Sequence, residues 1–271
     1  MADNLEDEWW ETDNRVQNNK IEENSSDEGE QKNTGEVSNK RSAEEEGEDQ
    51  GNRTKKKQKR KRKKITTELK EKGKSSRASP TDVIDLLSKH FEGKLSPVEL
   101  DEIKLDPDSD FYVSSESDHT PSSYLRTILP KWKKLVKSSG DLKPGSPLVL
   151  IITSSAIRAV QLNRDITDFK TEECKCAKLF AKHFKIEEQQ KYLSKNVCHI
   201  GLGTPNRICS LIKNGSLHLD SVKSVVLDWN WRDKKFKRMA DIIDLRIDLM
   251  VLLQTFIIPH IHANKCKIGI L

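Results

Sequence analysis

Val225-Val226-Leu227-Asp228-Trp229-Asn230-Trp231-Arg232-Asp233 begins as an unbroken apolar run and ends on a lone carboxylate followed by aromatics. A strand whose two faces are both covered loses polar alternation and reads in this way. Leu148-Val149-Leu150-Ile151-Ile152 has the same character. Working outward, strand-like runs lie at 111–113, 148–153, 177–181, 197–202, 225–229 and 267–271, and helix-like segments at 122–137, 155–167, 186–195, 205–214 and 236–256. In the last helix Phe236, Met239, Ile243, Met250, Leu253 and Phe256 form one apolar stripe. Two further helix starts precede these. Ser79-Pro80-Thr81-Asp82 leads into Val83, Ile84, Leu86, Leu87 and Phe91, and Ser96-Pro97-Val98-Glu99 has a cap, a proline at the first helical position and an acid three residues after the cap. Strands alternating with helices predict right-handed crossovers and a mainly parallel sheet with helices on both faces, spanning 81–271.

The rest of the chain is polar and sharply divided by charge. Only 34% of the 271 residues are hydrophobic and 34% are charged. Residues 1–50 hold 17 Asp/Glu against 5 Lys/Arg, and residues 51–80 hold 14 Lys/Arg against 2 Glu, so the two blocks cancel. Neither has the apolar content to offset chain entropy, and both are expected to be disordered tails when free. In the acidic block Ser25 and Ser26 stand just before carboxylates. They are candidate phosphosites for an acid-directed kinase, or simply part of a solvated tail. Trp9 and Trp10 form a candidate docking element for a protein partner. Lys55, Lys56, Lys57, Lys59, Arg60, Lys61, Arg62, Lys63 and Lys64 make a run dense enough for nuclear import, with RNA phosphate contact as a second use.

No run of 18 apolar residues occurs, and the first residues lack the pattern of a secretory signal, so a soluble, intracellular protein with no membrane partner is expected. The five cysteines are scattered and odd in number, which argues for reduced thiols. Cys174-Lys175-Cys176 is too closely spaced for a zinc knuckle and has no second pair, and no metal is expected.

In open parallel sheets function gathers beyond the carboxyl ends of the strands. There the chain reads Thr153-Ser154-Ser155-Ala156-Ile157-Arg158-Ala159, Gly203-Thr204-Pro205-Asn206-Arg207-Ile208 and Asp228-Trp229-Asn230-Trp231. In order and spacing these segments resemble the first RecA-type domain of a DEAD-box RNA helicase, from about residue 105 to 271. In that family the third segment carries the acids that hold magnesium and orient water, and Trp229 stands where the second acid belongs. The segment matching the phosphate-binding loop, Ser114-Ser115-Glu116-Ser117-Asp118-His119-Thr120-Pro121-Ser122-Ser123, has no glycine and no lysine and carries two acids, whereas phosphates need a glycine-rich cradle and a cation. No second RecA-like domain follows to close over ATP. A motor is therefore not expected.

The resemblance implies that Thr204, Pro205, Arg207, Ser154, Ser155 and Arg158 are candidate contacts to an RNA sugar-phosphate backbone. Ala156 departs from the family's arginine. Thr204-Pro205 reads equally as a helix cap, and the two roles are compatible because a cap leaves N–H groups free. Taken together with Asp7-Glu8-Trp9-Trp10-Glu11 and the basic block, these motifs resemble the Cms-type small ribosomal subunit protein homologues. That resemblance implies a nuclear, nucleolar, RNA-associated protein of small-subunit assembly with pre-ribosomal partners, no cofactor and no enzymatic activity, monomeric outside its complexes. Trp229 and Trp231 would cover a degenerate ATPase position or serve as core, with core favoured for one of them. Asp228 is expected to pair with Arg232, and Asp233 to cap the following segment. The alternative is a weak ATP-binding protein using Asp228 with magnesium and a lysine such as Lys131, Lys133 or Lys134.

Overall fold

The computed structural model describes residues 77–113, 119–140, 142–263 and 265–271. Trp9, Trp10, Ser25, Ser26, the basic run 55–64 and the acidic part of the loop at 114–118 lie outside these. Within the described residues, helices α1 (Pro80–Phe91), α2 (Pro97–Glu102), α3 (Pro121–Ile128) and α4 (Trp132–Lys137) come first. Strands then alternate with helices: β1 (Val149–Ile152), α5 (Ala156–Asp165), β2 (Cys176–Leu179), α6 (Ile186–Lys195), β3 (Ile200–Gly203), α7 (Pro205–Lys213) and β4 (Ser224–Leu227). A long helical run of α8 (Ile243–Leu252), a π-helical turn (Leu253–Ile257) and α9 (Ile258–His262) leads to β5 (Lys267–Ile270). The five strands are all parallel, in the order β2-β3-β1-β4-β5. This is the doubly wound α/β sheet expected of a RecA-like domain.

Strand residues divide cleanly between the two faces, as a period of two requires. Leu150, Ile152, Leu179, Val225, Leu227 and Ile268 pack with α1, α7 and α8. Val149, Ile151, Ile200, Leu202 and Val226 pack with α3, α4 and α5. With both faces covered, β1, β3 and β4 are buried along their whole length.

The helix starts are held as their sequences suggest. The Asp82 carboxylate accepts from the Ser79 amide, and Ser96 and Glu99 exchange amide-to-side-chain bonds at 3.3 and 2.8 Å.

Three expected elements differ from the structure. The segment 111–113 is an isolated parallel bridge from Phe111 to Ile268 rather than a strand. The helix expected over 122–137 is two helices, because Pro130 has no amide to continue the ladder. The helix expected over 236–256 begins only at Ile243, after a 3-10 turn at Met239–Asp241, and runs on to His262. Its phase changes at the π-helical turn. Pro259 lacks an amide and crowds the carbonyl four residues before it, and a wider turn relieves both problems. The buried side chains are therefore Leu249, Met250, Leu252, Leu253, Ile257, Ile258 and Ile261, while Phe256 is half-buried and Ile243 is 62% exposed. By length and composition Ile243–His262 would suffice to cross a membrane, yet 44% of its most apolar window is buried inside the domain.

Candidate nucleic-acid interface

The segments after β1, β3 and β4 meet at the carboxyl edge of the sheet because the three strands are neighbours. Register places Ile152 beside both Gly203 and Leu227. The Thr153 amide donates to the Gly203 carbonyl at 2.8 Å, and the Asp228 amide donates to the Ile152 carbonyl at 2.9 Å. All three segments thus leave the sheet at one level.

Asp228 does not pair with Arg232. Its carboxylate is 1% exposed and is gripped by Arg158 from the first turn of α5, with Nε and Nη2 donating at 2.7 and 2.9 Å. Arg158 also lies 3.5 Å from Asp165 and 5.3 Å from the centre of the Trp231 ring. Arg232 instead donates to the Phe236 carbonyl at 3.2 Å. The alternation of β4 explains the choice: Val225, Leu227 and Trp229 join one face, so Asp228 points to the other, where α5 lies. Burial pushes the Asp228 carboxyl above its ordinary value, and the bonds from Arg158 pull it back only in part. A bidentate guanidinium satisfies a buried carboxylate better than a point charge does. Trp229 is 3% exposed and belongs to the core, while Trp231 is half-buried over Arg158.

The candidate RNA contacts are placed as follows. Ser155 caps α5 by accepting from the Arg158 amide at 3.2 Å. The Ser154 hydroxyl is buried with no hydrogen-bond partner. Thr204 occupies the cap position of α7, but its side chain makes no capping bond. Its amide donates to the Leu179 carbonyl at 3.0 Å, which ties β3 to β2. This approach demands the glycine before it, since a Cβ on Gly203 would lie 1.9 Å from the Leu179 carbonyl oxygen. Pro205 is buried. Arg207 donates to Gln189 Oε1 at 3.0 Å and to the Phe184 carbonyl at 3.1 Å, and partial burial lowers its pKa. The two arginines of the helicase-like motifs are therefore bound within the domain, and the exposed side chains at these segments are Ile157 and Asn206, the latter donating to Asp248 at 3.3 Å.

Asp233, expected to cap the next segment, folds a turn: its Oδ1 accepts from the amides of Lys235 and Lys237, both at 2.8 Å. No recognised motif marks this turn in the sequence, although Arg232, Lys234, Lys235, Lys237 and Arg238 put five cations into seven residues. Among the described residues no cluster of three or more metal-ligating side chains occurs. Burial pushes the thiols of Cys174, Cys198 and Cys266 up to about 12, and that of Cys176 up to about 11, which leaves them unreactive.

A family model described as CMS1, U3-containing 90S pre-ribosomal complex subunit, matches residues 19–270. Protein CMSS1 of Xenopus laevis is 45% identical over 192 residues, covering 71% of this chain and 68% of its own length. Protein CMSS1 of Homo sapiens is 41% identical over 207 residues, covering 76% and 73%. Among solved structures the yeast DEAD-box splicing factor Prp28 is similar at 18% identity and a TM-score of 0.40, and the match spans 69% of this chain but only 44% of that one.

Proposed function

This chain belongs to the CMS1 family, described as a subunit of a U3-containing 90S pre-ribosomal complex, and from that premise we propose that it is a non-enzymatic scaffold which binds RNA and protein during small-subunit assembly in the nucleolus. One observation carries the non-enzymatic part: the strand-end acid is already neutralised. A magnesium-binding carboxylate must offer lone pairs to the ion and its waters. Asp228 offers both oxygens to Arg158 from a site sealed by burial, and the neighbouring position that would orient water is the core residue Trp229. Pulling Asp228 away would strand a guanidinium that is itself 6% exposed, at a cost of several kcal/mol. The ATP-binding alternative is supported less well, since it needs that rupture for every nucleotide bound.

The RNA-binding part rests on the basic run 55–64 and on the position of the domain's loops at one sheet edge. Phosphate contacts of this kind give affinity that falls steeply with salt and carries little sequence preference. Specificity then comes from the partners that place the protein in the particle. Crosslinking in cells, with sequencing of the attached RNA, tests the proposal. Reads concentrated in the ribosomal RNA precursor and U3 RNA are expected; a profile spread over messenger RNA without ribosomal enrichment would overturn it.

A further inference from the structure

We propose that the turn at 232–238 grips the phosphate backbone of single-stranded RNA through Lys235 and Lys237, an inference that rests on the RNA-binding reading above. The turn follows β4 and so stands at the carboxyl edge of the sheet. It is a built structure. Besides the two bonds to its carboxylate, Asp233 accepts at its carbonyl from the Phe236 amide and donates its own amide to the Lys237 carbonyl, both at 2.9 Å. These bonds hold Phe236 at φ 59°, a backbone conformation that bulky residues avoid and that persists only where surrounding contacts over-determine it. The consequence is electrostatic. The turn's only acid faces inward onto amides, while Lys235 and Lys237 are exposed and form no ion pair among the described residues.

A second cationic loop follows β2 at the same edge, with exposed Lys182 and Lys185. Since β3 and β1 lie between β2 and β4, the two loops are about 14 Å apart at the usual strand spacing. Half-buried Trp231 and Phe236 flank the lysines of the turn. Cations interleaved with aromatic faces are the combination that single strands use, charge for the backbone and rings for the bases. The motif arginines are unavailable for this work: Arg158 is bound to Asp228, and Arg207 to Gln189 and Phe184. The phosphate contact is thereby shifted from the helicase-like segments to the turn beside them.

The test uses the full chain and a labelled oligouridylate, with binding measured across a salt series. To isolate the folded part, the nine cations of 55–64 are changed to Gln in a parallel background. There, Lys235→Glu with Lys237→Glu should weaken binding about three- to tenfold and make the salt slope shallower by about 1.4, two single-strand phosphate contacts' worth. Lys223→Glu with Lys267→Glu, exposed cations at the opposite edge of the sheet, should change neither. The neutral pair Lys235→Gln and Lys237→Gln repeats the measurement with no new charge, in case reversal disturbs the fold.

Equal losses from the two edges would overturn the proposal. So would RNA binding by the native chain that vanishes entirely in the tail-neutralised background, and so would polyglutamate bound as tightly as RNA, which would make the turn a site for acidic protein. Failure of the native chain itself to bind oligouridylate would instead remove the RNA-binding reading on which the proposal stands.

Discussion

Two acids a few residues apart, Asp228 and Asp233, illustrate how one charge type supports opposite outcomes. Asp228 is buried and takes a cation inward, so the strand end becomes neutral, dry and chemically closed. Asp233 takes backbone amides, so its turn becomes rigid while Lys235 and Lys237 keep their charge for solvent or a ligand. The first region is architecture where a helicase-like domain would have chemistry. The second is a candidate surface of a kind that the helicase resemblance does not include.

The largest effect expected from breaking this contrast is at Arg158. Arg158→Ala leaves a buried carboxylate without its counterion and should cost about 3–5 kcal/mol in denaturant unfolding, whereas the volume-matched apolar pair Arg158→Met with Asp228→Leu should recover most of that loss. A double variant as unstable as the single one would show that the pair is not an isolated unit. Next, Gly203→Ala drives a methyl group into the backbone of Leu179 and should cost about 3 kcal/mol by forcing β3 from β2. Preserved stability there would mean that the edge is less tightly fixed than its hydrogen bonds indicate.

A smaller effect concerns pH. His199, His260 and His90 all have pKa values held below 6.5, first of all by burial. The unfolded chain therefore binds protons before the folded one does, and stability should begin to fall as pH drops through about 6.5, well above the carboxylate range. A flat stability profile between pH 7 and 5 would contradict this. The smallest effect on stability is expected at the turn itself: Lys235→Gln with Lys237→Gln should shift unfolding by no more than about 0.5 kcal/mol. The same lysines are the ones proposed to matter for RNA, so stability and binding should separate there and nowhere near Asp228.

Much of this was legible from the chain. The unalternated runs at Leu150 and Val226 carry the parallel sheet, and Ser96 with Glu99 marks a helix start that the structure keeps. The partner of Asp228 was not legible. Arg232 is close in sequence, but side-chain direction at the end of β4 favours Arg158, 70 residues away, and that depends on which helix covers which face. The late start of α8 was hidden for a related reason. The apolar spacing of Phe236 and Met239 mimics a helix, while Asp233 diverts the backbone into a turn through local hydrogen bonds. The inward commitment of Arg207 depends on Gln189 and Phe184, brought near only by the β2–α6 connection.

Asp228 is committed within the fold to Arg158. Calorimetric titration of the full chain with ATP and magnesium tests it most directly. No saturable heat is expected, and the same flat trace is expected for Asp228→Asn. One-to-one saturable binding by the native chain, abolished by Asp228→Asn, would contradict it.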